Sequence, residues 1–201
     1  MIMADINNGD DDILMQRLSS GDDLALNEIM RRWKEPLLHF MARYISQHEE
    51  ALDLAQETFV RVYQARERYK PGSKFSTWLF TIAANLCKNH LRWVSRHAQV
   101  SLDDSPSDSD GEKGLTMADR LAHPDSGPED EFLAQERATA VRSAIRSLSH
   151  EQKTAIILFE YDDMPVVQIA EILECSPKAA ENHLYRARLA LKKVLERFIN
   201  G

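Results

Sequence analysis

Cysteine is scarce in this 201-residue chain, and the two that occur, Cys87 and Cys175, lie far apart. A disulfide framework is therefore excluded, and both cysteines are predicted to be small buried hydrophobic residues. No apolar run approaches the ~20 residues that a membrane-spanning helix needs. The first residues, MIMADINNGDDD, are acidic where a secretory signal peptide is basic. These absences predict a cytoplasmic protein with no direct membrane insertion.

The chain also lacks the patterns of a catalytic or cofactor site. It has no phosphate-binding glycine loop, and no nucleophile has a convincing base partner. Cys87 and His90 have C-x-x-H spacing, but no second cysteine pair accompanies them, which favours buried helix positions over zinc ligands. The sequence predicts a protein that is not an enzyme and that needs no cofactor or metal.

Charge is unevenly distributed along the chain, whose formal net charge is −7. Residues 101–136 contain eleven acidic and two basic residues, a net of −9. Residues 61–96 contain eight basic residues and one acidic residue, a net of +7, and residues 177–197 contain six and two, a net of +4. Two basic regions separated by an acidic one indicate two separate anionic partners or partner sites.

Hydrophobic residues recur at helical spacing on both sides of the acidic region, and no alternating strand pattern persists. Breaks are predicted at Pro36 and in the loop YKPGSK, and the Trp33 and Trp93 side chains are predicted to pack in the core. A stretch rich in Asp, Ser, Pro and Gly cannot bury enough apolar surface to fold. The predicted fold is all-α, with two small helical domains (residues 11–97 and 128–201) joined by a flexible acidic linker (98–127).

The segment MPVVQIAEILECSPKAAENHLYRARLALKK predicts a helix-turn-helix. Ser176 can cap the second helix and Pro177 fits its first position. Alanine and leucine form the inward seam of the second helix, and Val167, Ile169, Ala170 and Leu173 that of the first. The outer face suits the DNA major groove, although a solvated amphipathic helix would show a similar charge pattern. The candidate DNA-reading residues are Lys178, Glu181, Asn182, Tyr185, Arg186 and Arg188.

The first domain carries a second polar pattern, in which amides, cations and aromatic residues interleave. A polar helix face is followed by a basic loop and then by a long helix. This combination suits single-stranded nucleic acid, on which aromatic rings stack and cations neutralise phosphates. The residues are Asp53, Gln56 and Glu57 on the polar face, and Tyr69, Lys70, Lys74, Phe75, Trp78, Asn85, Lys88, Asn89 and Arg92 in the loop and the long helix.

Three segments, DLAQETFVRVY, FSTWLFTIAANL and QIAEILECSPKAAENHLYRARLAL, resemble in order those of the extracytoplasmic-function sigma factors of bacterial RNA polymerase. The resemblance covers residues 14–198. It implies that the polar face binds the largest subunit of the polymerase core. It implies that the loop and long helix melt the −10 promoter element, and that the helix-turn-helix reads the −35 element. An anti-sigma factor is a further implied partner.

The run Lys178-Ala179-Ala180-Glu181 departs from the Gly-Thr-Val-basic run frequent in that family, so promoter preference is not implied by relatives. Two other functions remain open at this point: a sigma-like decoy that sequesters an anti-sigma factor, and a free-standing helix-turn-helix repressor. The basic face of the last helix argues against the decoy. The polar face of the first domain would be unexplained in the repressor.

Overall fold

The computed structural model describes residues 8–45, 47–72, 74–100 and 128–199. Of the predicted linker 98–127, residues 98–100 belong to the last helix of the first domain and residues 101–127 lie outside the described ranges. Within them the regular structure is helical, which confirms the predicted all-α class. None of these helices is long and apolar enough to cross a membrane. The helices are α1 (Asn8–Ser19), α2 (Leu24–Tyr44), α3 (His48–Gln64), α4 (Phe75–Val100), α5 (Pro128–Ser147), α6 (His150–Glu160), α7 (Val166–Ile172) and α8 (Pro177–Ile199), with a short 3₁₀ turn at Arg66–Arg68.

Helix α2 runs without interruption through Pro36, so the predicted break at this proline is wrong. Proline in a helix interior removes one backbone hydrogen bond and favours a kink. Here Trp33, Leu37 and Phe40 continue one buried stripe across the proline, which is itself buried. Burial of that stripe outweighs the local cost of the proline.

The first domain packs α1, α3 and α4 against α2. The prediction that Trp33 is a core residue is confirmed, since its side chain is 3% exposed. Its indole Nε1 donates to Oδ2 of Asp11 at 3.3 Å, which ties α1 to α2. Asp11 is fully buried, and burial raises the pKa of its carboxyl despite the opposing hydrogen bond from Trp33.

The second domain packs α5, α6 and α7 around α8. Helix α6 begins at a capping box, in which Ser149 Oγ accepts from the Gln152 backbone N–H and the Gln152 side chain accepts from the Ser149 N–H. The seam of α8 is buried at Ala180, Leu184 and Ala187, as the spacing predicted.

The turn between α7 and α8 has the hydrogen bonds of a Schellman motif. The backbone N–H of Cys175 donates to the carbonyl of Ala170, and that of Glu174 donates to the carbonyl of Glu171. Glu174 occupies the left-handed position with φ +51°, where glycine is usual. Ser176 Oγ then accepts from the Ala179 backbone N–H at 3.2 Å, which confirms the predicted cap of α8. The turn therefore fixes the angle at which α8 leaves α7.

The two domains contact each other directly, through α2 with α5 and α6, and through α4 with α7. The Tyr44 hydroxyl shares a hydrogen bond with Nδ1 of His150. The Arg43 guanidinium lies 4.2 Å from the centre of the Tyr161 ring. These contacts join the end of α2 to both ends of α6.

We predict that Glu174→Gly raises the free energy of unfolding by about 0.5–1 kcal/mol. Relief of the left-handed strain, roughly 1–2 kcal/mol, exceeds the extra entropy that glycine gives the unfolded chain. Urea denaturation of the full chain measures the change. The control Glu171→Gly, in the ordinary helical backbone of α7, should lower stability by about 1 kcal/mol. Equal destabilisation by both variants would contradict the prediction.

Candidate nucleic-acid and protein interfaces

The polar face of α3 is exposed, as the spacing predicted. Asp53 and Gln56 are exposed and Glu57 is half-buried, while Ala55 and Phe59 on the opposite side are buried. Glu57 Oε1 accepts from Nε of Arg61 at 2.9 Å. Two carboxylates and an amide thus form an acidic surface that contributes little to the core.

Val60 adds an apolar side chain to this surface, and sequence reasoning missed it. It is 47% exposed, seven residues after Asp53 and therefore on the same side of the helix. Its spacing could have revealed it, because the buried positions of α3 leave Val60 outside their stripe. We name the surface formed by Asp53, Gln56, Glu57 and Val60 the α3 face.

Packed aromatic rings on the core side support the loop before α4. The centre of the Tyr69 ring lies 5.9 Å from that of Phe75 and 5.2 Å from that of Trp78. The Tyr69 hydroxyl donates to a carboxylate oxygen of Asp12. Burial and the Asp12 hydrogen bond raise the pKa of Tyr69, so it stays a neutral donor.

Tyr69 and Phe75 are 8% and 0% exposed, so neither ring can stack on a base in this arrangement. Both rings pack in the core in this arrangement, and their prediction as −10 DNA contacts stays a prediction. Trp78 is half-buried, and Lys70 and Lys74 are exposed. Gly72, with φ +97°, makes the reversal between the two lysines.

The exposed stripe of α4 carries Asn85, Asn89 and Arg92, at i, i+4 and i+7 on one side of the helix. Lys88 is half-buried, and its Nζ lies 4.0 Å from Oε1 of Glu151 in the second domain. Together with Lys70, Lys74 and Trp78 these residues form a surface that we name the α4 face. Its exposed groups include cations and amides, the kinds of group that proteins use to contact phosphates and base edges.

Trp93 is 54% exposed, so the prediction that it packs in the core is wrong. Its ring lies 4.1 Å from that of His97, one turn further along α4. Of the four residues that flank it, Leu91 and Val94 are apolar and Arg92 and Ser95 are polar, so its neighbours did not mark it as a surface residue. An exposed indole beside Arg92 extends the α4 face with a ring that can stack.

The outer side of α8 presents most of its predicted residues to solvent. Asn182 and Arg186 are exposed, and Tyr185 is 68% exposed. Lys178 Nζ lies 3.0 Å from Oε2 of Glu181, so these opposite charges partly cancel. We name this set the α8 face.

Two residues depart from the predicted pattern of the helix-turn-helix. Arg188 donates two hydrogen bonds to Oε1 of Glu160, at 2.7 and 2.9 Å, and lies over the Phe159 ring, which directs it toward α6. Val167, predicted to pack inward, is 58% exposed, because Ile169 and Ala170 already occupy the contact of α7 with α8.

The C-x-x-H pair does not form a joint site. Cys87 is fully buried, which raises the pKa of its thiol, whereas Nε2 of His90 lies 2.9 Å from Oε2 of Glu50. In the part of the chain that the structure describes, no group of three or more His, Cys, Asp or Glu side chains could hold a metal ion.

Family models match this chain in two segments, one on each side of its acidic region. Residues 29–97 match the family model for sigma-70 region 2, and residues 138–191 match that for sigma-70 region 4. The RNA polymerase sigma-H factor of Pseudomonas aeruginosa is 30% identical over 189 residues, 92% of this chain and 94% of that protein. The extracytoplasmic-function sigma-E factor of Salmonella typhimurium is 29% identical, over 94% and 96%.

A solved structure has the same fold. The sigma factor RpoE of Bartonella quintana, in complex with the anti-sigma factor NepR, aligns with a TM-score of 0.61 and 25% identity. The alignment covers 85% of this chain and 96% of that one. The similarity therefore extends across both helical domains.

We predict that Phe75→Ala lowers the free energy of unfolding by about 3–5 kcal/mol, the usual cost of removing a buried phenylalanine. Asn85→Ala, on the exposed side of the same helix, should change it by no more than about 0.5 kcal/mol. Chemical denaturation followed by circular dichroism measures both values. A Phe75→Ala change as small as that of Asn85→Ala would show that the ring is exposed in solution.

Proposed function

Because this chain belongs to the extracytoplasmic-function group of sigma-70 factors, which direct RNA polymerase core to specific promoters and initiate transcription, we propose that its three exposed faces divide that task. The observation that carries the proposal is their separation on different helices. The acidic face lies on α3, whereas the cationic and amide faces lie on α4 in the first domain and on α8 in the second.

The α3 face binds the polymerase core in this proposal. Asp53, Gln56 and Glu57 offer carboxylates and an amide to a partner surface rich in cations, and Val60 supplies a desolvated apolar contact between them. Charged contacts at an interface favour specificity and rapid association, while apolar contacts add affinity. The core of the domain does not depend on these side chains.

The α4 face binds the −10 element and helps to melt it. Extruding one base costs a few kcal/mol, which stacking and a fitted pocket can offset. Asn85 and Asn89 offer amides to an exposed base, and Lys70, Lys74, Lys88 and Arg92 neutralise phosphates. Tyr69 and Phe75 hold the loop in place, and Trp78 and Trp93 are the rings with free surface.

The α8 face reads the −35 element in duplex DNA. Asn182, Tyr185 and Arg186 lie on the first three turns of a helix whose angle is set by the turn at Glu174. Lys178 and Glu181, now paired, can separate to contact a phosphate and a cytosine amine. Arg188 positions α8 on α6 through Glu160.

The two domains must separate before both promoter elements are bound. Centres about 25 base pairs apart are roughly 85 Å apart along B-DNA at 3.4 Å per base pair. Domains in contact through Tyr44 and His150 cannot span that distance. The 27 residues from 101 to 127 can extend to about 90 Å at 3.3–3.6 Å each. In this proposal residues 11–97 and 128–201 act as the two DNA-binding units, and 98–127 connects them.

The remaining partners follow from the same assignment. The chain itself performs no chemistry, because the polymerase core supplies catalysis, and it works in the cytoplasm with that enzyme. An anti-sigma factor is a further partner, since the RpoE relative is known in such a complex. The decoy and repressor alternatives remain as outcomes of the experiments below.

We predict that the double variant Asp53→Lys/Glu57→Lys abolishes co-purification with polymerase core. Reversing two charges introduces repulsion where the proposal places attraction. Affinity capture of core enzyme on the immobilised full chain measures the loss. The matched control is Asp23→Lys/Glu35→Lys, which reverses two other exposed carboxylates of the same domain outside the α3 face and should retain binding.

Stability separates this result from misfolding. The Asp53/Glu57 variant should unfold within about 0.5 kcal/mol of the wild type, because both positions lie outside the core. Retained binding by this variant would reject the α3 face. If the wild-type chain fails to bind core but binds one duplex tightly by itself, the repressor is the correct function. If it binds an anti-sigma factor but neither core nor DNA, it is the decoy.

We further predict that the α4 and α8 faces act at different steps. Arg186→Ala should weaken the closed complex by about 1–3 kcal/mol if the arginine contacts a base bidentately. If it contacts only phosphate, the loss should be independent of sequence and the salt slope should fall by about one. Asn85→Ala should leave closed-complex affinity unchanged and reduce open complexes.

Filter binding at low temperature measures the closed complex, and permanganate reactivity of unpaired thymines measures opening. Arg197→Ala, an exposed arginine near the end of α8, is the control and should affect neither. A weak closed complex in the Asn85 variant, combined with normal closed binding and poor opening in the Arg186 variant, would show that the two faces have been exchanged.

A further inference from the structure

A cavity of about 230 Å³ lies where the two domains meet. The first domain contributes residues from the end of α2 and from the α4 side, and the second contributes the start of α6. This volume is large enough to hold several water molecules. The residues that contribute polar atoms to its walls are Tyr44, Lys88, Arg92, Ser95, His150 and Lys153.

Lys153 is the unusual member of this wall, because it is only 3% exposed and, among the described residues, has no acidic partner. Its Nζ lies 5.0 Å from the centre of the Tyr44 ring, which attracts the cation but accepts no conventional hydrogen bond. Among the described residues no carboxylate lies within ion-pairing distance of this ammonium. Buried lysines are rare unless paired, so this cavity leaves a buried cation uncompensated.

The other charges around the cavity are also mainly positive. Lys88 and the exposed Arg92 line it, and Glu151 lies 4.0 Å from Lys88 at its edge. Burial, followed by the nearby Lys88, lowers the pKa of His150 to about 4, so its ring is neutral and can donate or accept. Burial likewise lowers the pKa of Lys153, and Arg146 adds to the effect. The cavity therefore combines a positive field with hydroxyl and imidazole groups.

We propose that this interdomain cavity binds a small phosphate-bearing anion, which bridges Lys153 of the second domain and Lys88 and Arg92 of the first. Lysine and arginine are the usual phosphate partners, and Ser95, whose hydroxyl donates to the backbone carbonyl of Arg92 at 3.1 Å, lies on the same wall. The cavity is smaller than the ~300–1,000 Å³ of typical small-molecule sites. A phosphate or diphosphate group fits inside, and any larger part of the molecule extends into solvent.

Binding in this cavity is linked to the contact between the domains. The site is complete only when α6 lies against α2 and α4, so an anion that binds there stabilises the contacting arrangement. The inference extends to regulation, and this part of it rests on the proposed function. An anion in the cavity holds Lys88 and Arg92 of the α4 face, and it therefore opposes the domain separation that is needed to span a promoter.

Isothermal titration of the full chain with sodium pyrophosphate, at constant ionic strength, tests the proposal without polymerase or DNA. We expect saturable binding at one site and a reduction in affinity of about tenfold or more in Lys153→Met, since hydrogen bonds to charged groups contribute 1.5–3 kcal/mol. Methionine is apolar and similar in length, so the change removes an unpaired buried charge without leaving a large cavity. Lys192→Met, on the exposed side of α8, is the matched control and should bind as the wild type does.

Ser95→Asp provides a second variant whose folding is not at risk, because residue 95 is exposed. A carboxylate at the cavity edge should compete with the anion and also weaken binding. Orthophosphate and ATP, titrated separately, distinguish a single phosphate, a free diphosphate and a nucleotide as the source of the group. Small-angle scattering should show a decrease in radius of gyration with pyrophosphate in the wild type but not in Lys153→Met.

Absence of saturable binding of all three anions to the wild type would overturn the proposal. Equal affinity in the wild type, Lys153→Met and Ser95→Asp, or equal loss in the Lys192→Met control, would also overturn it by indicating general ionic attraction. These results are independent of promoter selection. The chain could therefore fail as an anion receptor and still act as a sigma factor, or the reverse.

Discussion

Aromatic rings in contact along α2 connect the loop before α4 to the second domain. The Trp33 ring lies 5.6 Å from that of Phe75, and the series continues through Phe80 and Phe40 to Tyr44. Tyr44 then meets His150 at a ring separation of 6.0 Å. Because aromatic pairs prefer certain separations and tilts, this series favours one position of α4 on α2 and one position of α6 on α2.

The series of aromatic rings positions the surfaces that we propose to be functional, although it does not itself form those surfaces. The rings of Tyr69 and Phe75 pack in the core, whereas the lysines of the loop and the amides of α4 lie on the surface. A loop that packs on a rigid core can hold polar groups in fixed positions. Binding then costs less entropy, because fewer side chains have to be ordered. In this short segment, the buried residues therefore support the loop, and the exposed residues are those proposed to bind DNA.

Charge sets a second constraint, which acts over the whole chain. Basic residues accumulate in the two regions proposed to bind DNA, and the acidic excess lies between them. Where the domains touch, Lys88 and Lys153 line one cavity, and Glu151 lies near Lys88. The contacting arrangement therefore concentrates positive charge at its own interface. The proposed anion relieves that repulsion in the contacting arrangement, and the proposed binding of DNA relieves it when the domains separate.

The helices, the capped start of α8 and the polar α3 face could be predicted from sequence, because helical periodicity and capping are local properties. Three ordered motifs also identified the family. Only the tertiary structure decided which of several suitable side chains are buried: Phe75 is enclosed and Trp93 exposed, although both are aromatic residues on one amphipathic helix. The continuity of α2 through Pro36 and the cavity around Lys153 likewise arise from contacts between residues distant in sequence. Local patterns report what a residue favours, whereas packing determines which neighbour it meets.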